Sequence, residues 1–196
     1  MCEGEDLVEA ARAAGIEPID LLVAGEDVEP ALLAEVSTMA HPPRVIGVFR
    51  RGDLPAFERR PLALALWQVS DPGNVGTLIR TADAFGAAIG FSEGCGDPTG
   101  PRALRASAGA IFRVPLGRFD EPEGRRVALV AGKGTPLAEL ERVDRTVFVL
   151  GAERQGLPDE VVAACDAVAS IPIAGSAESL NVAVAGAIAL YEASRR

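Results

Sequence analysis

Six apolar runs with no polar alternation, separated by stretches of helical periodicity, restrict this chain's fold more than any other feature. They cover residues 62–69, 87–91, 112–115, 127–131, 147–150 and 167–171. A strand apolar on both faces has to be covered on both, which is the habit of parallel sheets packed between helices. Helices are predicted between and after them, at 75–85, 101–108, 136–140, 158–165 and 180–194. The fold class is therefore α/β, a mostly parallel sheet with helices on both faces. The last helix carries Leu180, Val182, Val184, Ile188 and Leu190 almost all round its circumference. Such a helix must be buried on several sides, against its own sheet and against a partner subunit.

Ahead of the sheet lies a smaller unit. Helices at 6–14 and 30–38 and strands at 19–23 and 45–49 make a compact α/β arrangement, and the second helix has Pro30 in its first turn. The turn-rich segment from Arg51 to Pro55 opens a linker that runs to Pro61. The expected organisation is a small unit over 1–52, a linker over 53–61 and the main unit over 62–196.

No basic segment followed by an apolar run opens the chain, so no secretory signal is expected. The longest apolar stretch, 182–191, falls short of the roughly 20 residues a membrane span needs. A cytoplasmic protein is the expectation. Cys2, Cys95 and Cys165 are too widely spaced for a zinc pattern, and the single histidine, His41, argues against a His-based metal site or triad. No metal is expected.

The net charge of −9 alone argues against a nucleic-acid partner, but its distribution reverses that. Residues 1–36 hold ten acidic side chains and only Arg12, which leaves residues 37–196 neutral. Within the neutral part Arg44, Arg50, Arg51, Arg59 and Arg60 cluster, as do Arg102, Arg105, Arg113, Arg118, Arg125 and Arg126. Each cluster is either a solvated face or a phosphate-binding surface.

Three segments combine backbone-exposing glycines with a few committed polar side chains, and all begin where a strand ends. In Asp71-Pro-Gly-Asn-Val-Gly-Thr-Leu-Ile-Arg80 a turn enters a helix whose apolar face is Val75, Leu78, Ile79, Ala82 and Phe85. Arg80 lies opposite that face, toward ligand or solvent, and Asn74 is either a cap or a ligand group. In Gly151-Ala-Glu-Arg-Gln-Gly156 the carboxylate of Glu153 sits at the crevice beyond the strands, where it needs a partner. In 171–185, Ser179 and Asn181 stand at the mouth of the last helix, with Ser179 a possible cap. No dinucleotide fingerprint follows any strand, and Gly132-Lys-Gly-Thr135 lacks the phosphate-loop spacing.

In this order the three segments resemble the SpoU family of RNA 2'-O-ribose methyltransferases, within the SPOUT superfamily. The matching residues are Asn74-x-Gly76-x-x-x-Arg80-x-Ala-Asp-Ala-Phe-Gly86, Leu150-Gly-Ala-Glu-x-x-Gly156 and Ile171-Pro-Ile-x-Gly-Ser-x-x-Ser-Leu-Asn-Val-Ala-Val-Ala185. The resemblance covers residues 62–196 and implies a C-terminal trefoil knot, an exception to the usual absence of knots. It makes the first 50 residues similar to a shortened L30e-like RNA-recognition domain. It implies methyl transfer from S-adenosyl-L-methionine to a ribose 2'-hydroxyl of structured rRNA or tRNA, by a homodimer.

Carried over by position, Asn74, Arg80, Glu153, Ser179 and Asn181 form the catalytic and structural polar set. Ala131, Gly132, Leu150, Gly151, Ile171, Ile173 and Leu180 line the cofactor pocket. RNA contacts are expected at Arg80, Arg102, Arg105 and Arg154. Glu153 and Asn181 are expected to hold the loops and orient Arg80. A non-catalytic RNA-binding or assembly protein of the same fold is the alternative.

Overall fold

The computed structural model describes residues 1–141 and 143–195, so Arg196, the last residue of the expected main unit, lies outside the described residues. The chain begins with β1 (Cys2–Glu3), α1 (Glu5–Ala13), β2 (Asp20–Val23), α2 (Pro30–Val36) and β3 (Val45–Val48). Their three strands form an antiparallel sheet in the order β1-β3-β2.

The remainder runs β4 (Leu62–Leu66), α3 (Pro72–Ala84), β5 (Ala88–Phe91), α4 (Pro101–Ser107), β6 (Leu116–Arg118), β7 (Arg125–Leu129), β8 (Thr135–Pro136), β9 (Thr146–Leu150), α5 (Asp159–Ala163), β10 (Ala167–Ser170) and α6 (Val182–Ser194). Its seven strands are ordered β6-β5-β4-β9-β7-β10-β8, and every pair is parallel. Val147, Phe148, Val149 and Leu150 of β9 are all buried, as an apolar strand covered on both faces requires. On one face Leu64, Leu66, Phe148 and Leu150 pack with residues of α3, α4 and α6. On the other, Ala63, Ala65, Val147 and Val149 lie under Val161 of α5, Phe57, and an edge-to-face pair of Trp67 and Phe119 with ring centroids 5.3 Å apart.

The structure corrects several sequence-based boundaries. No strand forms over the predicted 112–115: Phe112 ends a one-turn helix begun at Ala110, residues 113–115 are turn and irregular chain, and β6 begins at Leu116. α4 ends on Ala108 in the left-handed conformation, φ 47°, and the next apolar residues are buried as a plug rather than paired in the sheet. The predicted helix at 136–140 is a single tight turn, Leu137–Glu139, preceded by β8, because so few residues cannot propagate a helix. The strand predicted over 62–69 stops at Leu66, and Gln68 beyond it turns the chain with φ 52°. β1 is two residues long and carries no periodic signal.

The N-terminal sheet does not stand apart from the rest. Cys2, Leu7, Ala11 and Ile16 join the same core as Ala103, Leu104 and Ala110. The buried carboxylate of Glu3 accepts from the Ser37 hydroxyl at 2.8 Å and from the Thr38 hydroxyl at 2.7 Å and backbone amide at 3.1 Å. Burial pushes the Glu3 carboxyl up, but these donors and the nearby Arg105 outweigh it and hold it below its usual range. Arg105 of α4 reaches across to donate to Thr38 Oγ1 at 2.9 Å.

α3 and α4 touch through Gly76. A Cβ there would collide with the Ala103 carbonyl and come within 2.6 Å of the Ala106 Cβ, and the carbonyl cannot swing aside. Gly76→Ala is expected to destabilise the fold by about 1–3 kcal/mol, read as a lower urea midpoint. An unchanged midpoint would show that the two helices can part at no cost.

Candidate cofactor and catalytic site

Beyond the carboxyl ends of β7, β9 and β10 opens a cavity of about 650 Å³. This is where parallel sheets bind their ligands, and its size is that of a small-molecule site. Three loops line it, following β7, β9 and β10 respectively. Of the predicted cofactor residues, Ala131, Leu150, Gly151, Ile171, Ile173 and Leu180 lie on its wall, while Gly132 belongs to the first loop without reaching the wall.

Two features fit the cavity to a nucleoside-bearing ligand. Apolar side chains such as Leu129, Ile171 and Leu180 offer faces for a base. Among the described residues, the backbone of 172–180 makes no hydrogen bond within the chain, so its amides and carbonyls can take a ligand's polar edges. Gly151 is a steric necessity. A Cβ there would run into the backbone of Gly156 and Leu157, where the loop folds back to close the Gly156 N–H to Ala152 O bond at 2.9 Å.

At the rim of the cavity three predicted polar residues meet. The Asn74 amide donates to Glu153 Oε1 at 3.0 Å, and its carbonyl oxygen accepts from Asn181 Nδ2 at 3.0 Å. Asn74 thus joins the β9 loop to the start of α6. Its amide orientation is fixed by the carboxylate on one side and by Asn181 on the other, whose own Oδ1 accepts from Ala183 N at 2.9 Å. Glu153 also accepts from the backbone amides of Ser70 at 3.3 Å and Asp71 at 3.2 Å, which ties the turn between β4 and α3 to the same group.

The helix caps differ from expectation. Asp71 caps α3, accepting from Asn74 N at 3.0 Å, with Pro72 at the first helical position. Asn181, and not Ser179, caps α6. The Asp71-Pro72 pair carried this signal in the sequence. With the caps supplied by other residues, Asn74 is free for the Glu153–Asn181 bridge.

Burial pushes the Glu153 carboxyl up, but the Asn74 amide and the backbone amides of Glu153, Asp71 and Ser70 outweigh it, leaving the group below its usual value of 4.5. A carboxyl depressed in the folded state stabilises the fold above its unfolded pKa, and that contribution is lost as pH falls through the lower folded value. Glu153→Gln is therefore expected to flatten the fall in melting temperature below about pH 4.5. An unaltered acid limb would show that other carboxylates, such as Glu3 and Asp97, carry it.

The remaining predicted residues fall outside this junction. Arg80 is exposed on α3, roughly 9 Å along the helix axis from Asn74 at the standard rise per residue. It has no hydrogen-bond partner among the described residues, so within one subunit Glu153 and Asn181 hold Asn74 rather than Arg80. Ser179 lines the cavity but bonds to none of the three. Arg154 lines it too. Arg102 pairs with the cap Asp71 at 3.1 Å. Much of the arginine clustering is likewise neutralised by local acids: Arg51 pairs with Asp97, Arg59 with Glu123, Arg113 with Asp83 and Arg118 with Asp120. Lys133, which sequence reasoning passed over, also lines the cavity.

Comparison with known proteins gives a consistent picture. Residues 61–191 match the model of the SpoU rRNA Methylase family. The chain is 34% identical over 191 residues to an uncharacterised tRNA/rRNA methyltransferase of Synechocystis, covering 89% of this chain and 67% of that one. It is 33% identical over 196 residues to a 23S rRNA uridine 2'-O-methyltransferase of Streptomyces viridochromogenes, covering 85% of this chain and 66% of that one. Against several mycobacterial relatives it spans only about half of their length. A solved rRNA methyltransferase from Sinorhizobium meliloti with bound AdoMet superposes with a TM-score of 0.86 at 29% identity, over 98% of this chain and 85% of that one.

Proposed function

This chain belongs to the SpoU rRNA methylase family, and we propose from that membership that it transfers a methyl group from S-adenosyl-L-methionine to a ribose 2'-hydroxyl of structured rRNA or tRNA. The observation that carries the reading is the Asn74–Glu153–Asn181 junction at the rim of a cavity whose walls fit the cofactor. The AdoMet complex of the Sinorhizobium meliloti relative and the 2'-O specificity named for the Streptomyces viridochromogenes relative support it.

When bound, the cofactor supplies an electrophilic methyl group on a sulfonium. The walls of the three loops hold it, with Leu150, Gly151, Ile171, Ile173 and Leu180 as the principal contacts and Ala131-Gly132 beside them. Asn74, Glu153 and Asn181 fix the loops around the reacting atoms, with Ser179 on the cavity wall beside them, so that positioning does most of the catalytic work. Arg80 binds the phosphate next to the target ribose and the oxyanion that develops on it. A protonated guanidinium has no acceptor, so the hydroxyl proton leaves to water or phosphate rather than to Arg80. Mapping 2'-O-methylated nucleotides in RNA from cells with and without the gene tests the reading. The expected result is at least one site that disappears with the gene, and an identical methylation map would contradict it.

The organisation follows the same family reading. Residues 1–52 form a shortened L30e-like RNA-recognition unit, 53–61 a linker and 62–196 the methyltransferase unit, whose segment after β10 is threaded as a trefoil knot. The protein acts in the cytoplasm as a homodimer through α6. Val184 and Tyr191 on that helix are about half exposed, at 47% and 50%, and lie seven residues apart on one side of it. Sedimentation at micromolar concentration is expected to give a dimer and Val184→Glu a monomer; a monomeric wild type would refute the interface.

A further inference from the structure

We propose, resting on the methyltransferase reading above, that Lys133 and Arg154 form an oxyanion site on the cavity rim. Its ligand is the phosphate of the bound RNA or the carboxylate of the cofactor's amino-acid end.

The two cations come from different loops, after β7 and β9, and both line the same cavity. Neither has an ion-pair or hydrogen-bond partner for its side chain among the described residues. Eight other arginines are each paired with a carboxylate. Arg50, Arg80 and Arg145 are also unpaired among the described residues, but of the unpaired cations Lys133 and Arg154 are the ones that line the cavity. Among the described residues, the one carboxylate lining the cavity, Glu153, is already engaged by Asn74 and two backbone amides, so it does not answer either cation.

The backbone holds Lys133 in this place. It stands between Gly132 at φ 66° and Gly134 at φ 81°, both in the left-handed region that other residues enter only with strain. A Cβ at Gly134 would strike the Val168 carbonyl, so the turn is pressed onto β10 with the lysine at its tip. Two cations left unpaired at the mouth of a cleft, in a chain of net charge −9, match an anion supplied from outside.

Lys133 is the only lysine in the chain, which makes the test specific. Protein grown with isotope-labelled lysine gives one lysine side-chain resonance. A shift of that resonance with S-adenosylmethionine, but not with its decarboxylated analogue, supports the site and identifies the carboxylate. A shift with an RNA transcript in the absence of cofactor supports it and identifies a phosphate. In that case Lys133→Gln lowers the slope of log affinity against log salt by about 0.7–0.9. A resonance that neither ligand moves, in protein that binds both by calorimetry, overturns the proposal. Protein that binds neither refutes the methyltransferase reading instead, and inorganic phosphate then decides the anion site. A saturable shift that Arg154→Gln weakens supports it, and no shift overturns it.

Discussion

Arg80→Ala is expected to lower methyl transfer by a factor of about 10²–10³ or more, while calorimetry finds cofactor affinity essentially unchanged. Arg80 stands exposed on α3, away from the three loops of the cofactor cavity, so its loss leaves the cavity intact. The face of α3 around it is low. Thr77 and Thr81 fold their hydroxyls back onto the helix, donating to Gly73 O at 2.7 Å and Thr77 O at 2.8 Å. A phosphate can therefore approach the guanidinium without displacing a neighbour. Arg80→Lys keeps the charge but loses the planar fork that grips a phosphate through two parallel bonds. If the lysine variant kept a near-normal rate across pH, bidentate orientation would be the wrong account of this residue.

The second large effect is expected at Asn74, where the two ends of one amide serve two different partners. Asn74→Ala leaves the Glu153 carboxylate and the Asn181 amide without their bridge. It is expected to lower the turnover number about 10²-fold through misplaced loops. Asn74→Asp is harsher, because a second carboxylate replaces the amide that Glu153 now holds at 3.0 Å. Two adjacent carboxylates cannot both ionise without cost, so the pair retains a proton to higher pH than either group would alone.

The sign of the pH dependence then reverses. In the native protein the depressed Glu153 carboxyl adds stability as pH rises. In Asn74→Asp the raised pair is most favourable in acid, and its contribution is lost as pH rises through the folded value. Melting temperatures between about pH 4 and 8 separate the cases, with the deficit relative to wild type widening toward pH 8. A deficit equal to that of Asn74→Ala at every pH would mean that the two carboxylates do not interact.

Much of this was legible in the sequence because burial writes itself into it. The runs that became β4, β5, β7, β9 and β10 are apolar on both faces, and no other architecture accommodates that pattern as simply. The cavity residues were legible for a related reason, since strand ends followed by glycine and small residues mark where backbone is left open to a ligand. What escaped is local competition between similar groups. Asn74, Asp71, Ser179 and Asn181 are all good caps, and only the folded geometry shows that Asp71 and Asn181 take the helix ends. The segment after α4 misled because an apolar plug and an apolar strand have the same composition. The arginine clusters left two readings open, because partners such as Glu123 for Arg59 and Asp83 for Arg113 are distant in sequence and adjacent in space.

The most direct test of the central claim follows the methyl group itself. Wild-type protein is incubated with tritiated S-adenosylmethionine and rRNA or tRNA from cells lacking the gene, and the product RNA is hydrolysed in alkali. Methylation of a 2'-hydroxyl removes the nucleophile that alkali uses, so the label is predicted in alkali-resistant dinucleotides, and Arg80→Ala is predicted to leave none there. Label released as methylated mononucleotides, or no transfer from a protein that binds both cofactor and RNA, would contradict the account.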